Sequence, residues 1–146
     1  MNFRIMLATR VKLLNALVRS RLTYSCQTWA LTKRQATRVN VIYMSMLRKM
    51  VKGGYRRKPG SYCYELSNSD ILRRCTESIH QFIARQQRNF TAHVIRGENQ
   101  KMTKRLLFND NITKKPGRHI TLYKTVLENE NTTPDTFNSK ALERMF

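Results

Sequence analysis

Carboxylates are the first thing this sequence lacks. No Asp or Glu occurs before Glu65, while residues 1–60 hold 14 Lys and Arg side chains. Asp70, Asp110 and Asp135 are the only aspartates in 146 residues, and none has an acidic neighbour. Nucleotidyl transfer by two metal ions needs carboxylates that converge on ions about 3.5–4 Å apart, so the chain is not expected to be an enzyme on its own. Phosphate-cradling glycine loops, G-x-S-x-G and H-E-x-x-H are missing as well. Cysteine is scarce: Cys26, Cys63 and Cys75 form no C-x-x-C and sit at no zinc-ligand spacing from His80, His93 or His119. No metal, no other cofactor and no small-molecule substrate is expected. Their odd number and the want of a signal-peptide pattern fit an intracellular location, nuclear or cytoplasmic and not secreted, with Cys26 and Cys75 as small core residues. Glycosylation-type triplets at Asn89, Asn111 and Asn131 then read as chance. Uninterrupted apolar runs of the ~18–20 residues that span a bilayer are absent, so no membrane partner is expected. Internal repeats and low-complexity tracts are absent too.

What the chain has instead is positive charge. Twenty-eight Lys and Arg against 9 Asp and Glu give a formal charge of +19 and a pI near 10.7, which implies a polyanionic partner. Residues 61–120 carry 11 basic and 5 acidic side chains and residues 121–146 carry 3 and 4, so the excess is N-terminal. A merely solvated face mixes both signs; the first 60 residues do not. Apolar side chains interleave with the cations at helical spacing, unlike a disordered basic tail. The residues expected to meet nucleic acid are Arg10, Lys12, Arg19, Arg21, Lys33, Arg34, Arg38, Arg48, Lys49, Arg56, Arg57, Lys58, Lys114, Lys115 and Arg118. Such contacts grip phosphate without reading sequence, so binding should tolerate any sequence and weaken steeply with salt.

Periodicity predicts a mainly α fold. Val11, Leu14, Val18 and Leu22 mark a helix over 4–21. Residues 22–31, richer in β-branched and aromatic side chains, read as a continued helix or a short extended stretch. Thr32 offers a cap for a second helix with the stripe Ala36, Val39, Tyr43, Met46, Leu47 and Met50, ended by Gly53-Gly54. Arg34, Arg38, Arg48, Lys49 and Lys52 fall largely off that stripe. A basic Pro-Gly loop, Tyr55 to Gly60, marks a boundary. Cap candidates at 67–70 precede a long helix carrying Ile71, Leu72, Cys75, Ile79, Phe82, Ile83, Phe90 and Val94, with Gly97 as its stop. Short helices are expected over 120–127 and 139–146, with a Thr133-Pro134 helix start between them. The division expected is 1–54, a basic helical unit; 55–68, a linker loop; and 69–146, a helical extension.

Other constellations have plainer readings. Glu77 and His80 lie one helical turn apart, as on many solvated helices. His93 flanks an apolar stripe as a packed or capping residue. Met44, Met46 and Met50 belong to core, and Trp29 is expected to anchor the first two helices.

The order of residues adds a resemblance. Residues 12–33, with Leu22, Tyr24, Cys26, Trp29, Leu31 and Thr32, look like the segment after the palm of LINE-type (non-LTR) retrotransposon reverse transcriptases. That segment reads Leu-x-Tyr-Gly-Cys-Glu-x-Trp and then Leu-Thr; Ser25 and Gln27 replace its Gly and Glu. Met46-Leu47-Arg48 resembles the family's Met-x-x-Leu-Arg-type helix. Residues 85–96 are similar to its Arg-x-x-x-Trp-x-Gly-His-Val-x-Arg signature, with Phe90 for Trp and Ala92 for Gly. Lys115-Pro116-Gly117-Arg118, followed by Thr121-Leu122-Tyr123, resembles a further basic turn. The resemblance implies a thumb-like small helical bundle with a short extended segment near residues 22–30, then a long helix and a short helical C-terminal extension. It also implies a grip on a template–primer duplex or RNA, and the remaining polymerase domains as partners. Fingers, catalytic palm and endonuclease are not in this sequence, as expected of a truncated copy or of a piece of a longer polyprotein. Two alternatives stand beside it: an autonomous, sequence-nonspecific DNA- or RNA-binding module, and a degenerate gene remnant without function.

Overall fold

The computed structural model describes residues 5–52, 54–75, 77–98, 102–108 and 122–143. The described residues form seven helices, are 72% helical and contain no sheet. The first, α1, is a succession of an α-helix Leu7–Leu13, a π-helical stretch Leu14–Arg19 and an α-helical turn Ser20–Leu22. The others are α2 (Lys33–Met50), α3 (Asn68–Cys75), α4 (Ile79–Arg96), α5 (Met102–Leu107), α6 (Leu122–Glu130) and α7 (Pro134–Leu142). None is long and apolar enough to cross a membrane.

Local chemistry explains where these helices stop. Thr23 donates both its backbone N–H and its hydroxyl to the Arg19 carbonyl, at 2.9 and 2.7 Å, a back-bond that competes with further helix. Ser25 then takes a left-handed conformation at φ 57. Residues 26–28 form a single 3-10 turn closed by Thr28 and Trp29 N–H donations to Ser25 and Cys26. The extended segment expected near 22–30 is therefore mostly turn, and only from Trp29 is the backbone extended.

The long helix expected across residues 71–97 is two helices. Ser78 is the reason: its hydroxyl accepts the Gln81 N–H at 3.2 Å while its own N–H donates to the Gln81 side chain at 3.1 Å. This reciprocal capping box starts α4 afresh. Ser67 and Asp70 make the same device at the start of α3. The side-chain and backbone donations of Ser67 hold the Asp70 carboxyl below the usual carboxylate range. Because that pKa is depressed on folding, the contribution of this cap is present above the ordinary carboxyl pKa and is lost as pH falls through the lowered one. At the other end of α4, Gly97 follows the last helical residue but is not left-handed.

The chain divides into two compact units. The first comprises 1–24 and 33–82, so the Pro-Gly loop expected to link two domains lies inside it. Here α1, α2 and α3 pack on one another around Val11, Leu14, Tyr43, Met44, Leu47, Ile71 and Ile79. Fully buried Tyr43 donates its hydroxyl to Asn15 at 3.3 Å, and burial pushes its phenol above the ordinary range.

The second unit comprises 25–32 and 83–146. Its core joins Ala92 and Ile95 of α4 to Val126 of α6 and Phe137 and Ala141 of α7, with Phe108, Leu122, Tyr123 and Leu127 packed around them. Left-handed Asn131 ends α6: its N–H donates to Glu128, and the Thr132 N–H donates to Leu127 at 3.2 Å. This Schellman arrangement uses Asn where Gly is usual. Thr133 caps α7 and Pro134 opens it, as the sequence reading expects, in one helix that ends at Leu142. Gln87, buried on α4, donates to the Cys26 and Trp29 carbonyls at 3.3 and 2.7 Å and ties the 3-10 turn down.

A left-handed backbone costs an L-residue about 1–2 kcal/mol, against about 0.5–1 kcal/mol for the extra chain entropy of glycine. Ser25→Gly should therefore leave the urea midpoint unchanged or raise it slightly, whereas Ser25→Val, whose branched Cβ fits the left-handed region worse than serine's, should lower it. Ser78→Ala, which removes a capping box, should cost about 1 kcal/mol in the same measurement.

Candidate nucleic-acid interface

Twelve of the fifteen expected contact residues lie in the first unit; Lys114, Lys115 and Arg118 lie outside the described residues. Ten of the twelve are exposed: Arg10, Lys12, Arg21, Lys33, Arg34, Arg38, Lys49, Arg56, Arg57 and Lys58. Lys52 is exposed as well. Among the described residues, only Arg56 of these meets a carboxylate, Glu65 at 3.7 Å. Such a solvated pair is worth little and leaves both groups free to exchange partners.

Helix α2 presents the most regular array. Arg34, Arg38, Val41, Ser45 and Lys49 recur at steps of three and four, so they share one face. From Arg34 to Lys49 that face is about 22 Å long at 1.5 Å per residue. A nucleic-acid strand presents a phosphate about every 3.4 Å of helix axis, so the face can follow several phosphates. Lys33 sits about 100° off this row and Lys12 about 200° round from Arg10, so neither shares its neighbour's face.

Two expected contacts face inward. Arg48 is only 7% exposed. One of its Nη atoms donates to the carbonyls of Gly54 and Leu66 at 2.8 and 3.0 Å, and the other donates to Asn68 Oδ1 at 2.6 Å. Its guanidinium lies 4.4 Å from the centre of the Tyr64 ring. Arg48 does fall off the apolar stripe, about 100° round α2 from Leu47; it is buried because the turn after α2 and the finger fold over the end of the helix. Arg19 donates to Glu77 at 3.3 Å and stacks over Phe82 at 4.4 Å. Both cations hold helices together, and their donors are turned away from an external phosphate.

The stop expected at Gly53-Gly54 has a steric cause at its second residue. A Cβ at Gly54 would overlap the Arg48 carbonyl oxygen, so only glycine lets the chain turn this closely over the end of α2. Beyond it, residues 56–65 fold back as a short finger. The Glu65 N–H donates to Arg56 at 2.8 Å, the Lys58 N–H donates to Cys63 at 3.0 Å, and Arg57 bridges Tyr64 antiparallel. At its tip the Ser61 N–H closes on Lys58, with Pro59 and left-handed Gly60 between them, the residues a type II turn favours. Tyr55 packs edge-on against Tyr64 at 5.7 Å and donates to the Ser45 carbonyl, seating the finger on α2.

The remaining candidates resolve simply. Cys26 is buried, Cys75 is partly buried with its thiol pushed up by burial, and Cys63 is exposed. Met44 is buried, and Met46 and Met50 are partly so. His80 and His93 are exposed, and Glu77 engages Arg19. Trp29 is partly buried, and its carbonyl receives Gln87. Among the described residues no three His, Cys, Asp or Glu side chains gather as a metal site would require. No family model, no curated protein and no solved structure matches the chain.

Gln87 escaped the sequence reading, although it falls four residues after Ile83 and eight after Ile79, squarely on the apolar stripe. A polar residue at such a position signals a buried hydrogen bond.

Arg48→Ala would strand three acceptors and should lower the unfolding free energy by about 3 kcal/mol. Arg48→Lys keeps the charge but loses the planar fork, so it should recover only part of that. Arg34→Ala should stay within about 0.5 kcal/mol of the parent. Chemical denaturation of the three variants checks the contrast.

Proposed function

We propose that the chain is a non-catalytic nucleic-acid-binding segment of a LINE-type reverse transcriptase, gripping the template–primer backbone. One observation carries the binding part of this reading. The ten exposed cations among the expected contacts pair with only one carboxylate among the described residues, so their field is left mostly uncompensated. Phosphate is the partner that releases counterions from both sides on contact. The reading as part of a polymerase rests on the motif order from Leu22 to Tyr123. It is also supported by Ser25, which is left-handed where the family segment has glycine.

A second reading, autonomous sequence-nonspecific binding, is favoured by the core of the first unit. Tyr43, Leu47, Ile71 and Ile79 are buried by side chains of this chain alone, so the basic row on α2 needs no polymerase domain to hold it.

The readings part in one experiment. The intact chain, added in trans to a polymerase lacking its thumb, should lengthen the products; Arg34→Glu with Arg38→Glu should abolish the gain. In a gel shift the same double variant should bind at least tenfold more weakly while keeping its helical circular dichroism. Weaker binding with no gain in product length would leave the autonomous module standing. Unchanged binding by the double variant would contradict both.

A further inference from the structure

We propose that the finger of residues 56–65 is a contact site for single-stranded nucleic acid, in which Tyr62 stacks on an unpaired base while Arg57 and Lys58 hold the flanking phosphates. This rests on the reading of the first unit as a phosphate-binding surface and adds to it a second, chemically distinct contact.

Tyr62 is 92% exposed, beyond any other large apolar side chain among the described residues. A tyrosine ring so presented gains nothing from folding, and its neighbours are not those of a protein-docking patch. Pro59, Gly60, Ser61 and Cys63 surround it in sequence, and none supplies a bulky aliphatic surface. The bare aromatic face instead suits a nucleobase, which stacks whatever its identity.

Position and stiffness complete the case. The single Arg57–Tyr64 bridge sets the backbone of Arg57 beside the residue two after Tyr62, with backbones about 5 Å apart. One aromatic face and two cations thus lie within the reach of a few nucleotides. Ring and cations are also pre-positioned. The Cys63 N–H donates to Ser61 Oγ at 3.1 Å beside the tip, Pro59 fixes one turn dihedral, and Arg48 clamps the base of the finger through Gly54, Tyr64 and Leu66. Binding therefore need order only side chains, since the backbone that carries them is already fixed. Arg57 and Lys58 make no ion pair among the described residues, and the one carboxylate nearby, Glu65, is engaged by Arg56.

The test compares the full chain with Tyr62→Ala, Tyr62→Phe and the double variant Arg57→Ala, Lys58→Ala. The probes are a labelled 20-nucleotide oligo(dT), a 20-base-pair duplex and vesicles of phosphatidylserine. Because Tyr62 is exposed, its substitutions should leave the urea midpoint unchanged. Tyr62→Ala should weaken oligo(dT) binding about tenfold, the order that one base–aromatic stack supplies, while duplex affinity stays within about twofold. Tyr62→Phe should bind like the parent, and the double cation variant should weaken both nucleic acids. Equal losses on oligo(dT) and duplex, or no loss with Tyr62→Ala, would overturn stacking while leaving the basic surface as a phosphate site. A loss confined to vesicles would overturn it in favour of a lipid surface. Absence of binding by the parent chain would overturn the phosphate-binding reading as well.

Discussion

The first unit is organised by the burial of one cation. Arg48 sits at the end of α2 where four groups converge: the carbonyls of Gly54 and Leu66, the Asn68 side chain at the start of α3, and the ring of Tyr64. A buried guanidinium is costly unless its donors are matched. Here the matching partners come from segments that sequence alone leaves unrelated: the turn after α2, the finger and the cap of α3. Satisfying Arg48 therefore fixes all three at once. The finger's aim and the start of α3 follow from the same interaction.

That arrangement bears on a second constraint, the like-charge repulsion of an acid-free N-terminal stretch. Self-repulsion destabilises a compact state, and the chain meets it in two ways. Arg19 and Arg48 are absorbed into the interior by Glu77, Phe82, Tyr64 and backbone carbonyls. Among the described residues the other cations are exposed on α1, α2, the turn after it and the finger, where solvent and salt screen them. Neutralisation by a polyanion would relieve the remaining repulsion, so binding and folding of this unit are expected to reinforce one another. The second unit carries its charges differently. Arg88 meets Glu130 at 3.5 Å, Arg96 donates to the Ala141 carbonyl, and Lys104 donates to the carbonyls of Ile95 and Gly97 at the end of α4. These three cations are structural, in a unit that carries 12 Lys and Arg against 6 Asp and Glu.

Periodic elements were legible in the sequence because they rest on local rules. The stripes of α1 and α2, a cap somewhere within residues 67–70 and the Thr133-Pro134 start could all be read directly. The break between α3 and α4 was missed because the apolar stripe runs unbroken across it; only the Ser78–Gln81 capping box announces it. Arg48, Arg19 and Gln87 were misread or unread for a different reason. A polar side chain on or beside an apolar stripe is either solvated or matched, and the matching partners are distant in sequence: residues 54, 66 and 68 for Arg48, residue 77 for Arg19, residues 26 and 29 for Gln87. Charge sign and density could be read from composition, whereas which cations face outward depended on tertiary structure. Tyr62 carried no periodic signal at all, since its exposure follows from the turn that Pro59 and Gly60 create.

The central claim is that the exposed cations of the first unit form a phosphate-binding surface. Its most direct test is the affinity of the intact parent chain for a nucleic-acid duplex across a series of salt concentrations. If the α2 row and its neighbours engage four or more phosphates, log affinity should fall against log salt with a slope of about −3.6 or steeper, and sequences of different composition should give the same line. A flat salt dependence, or no binding at low salt, would contradict the account.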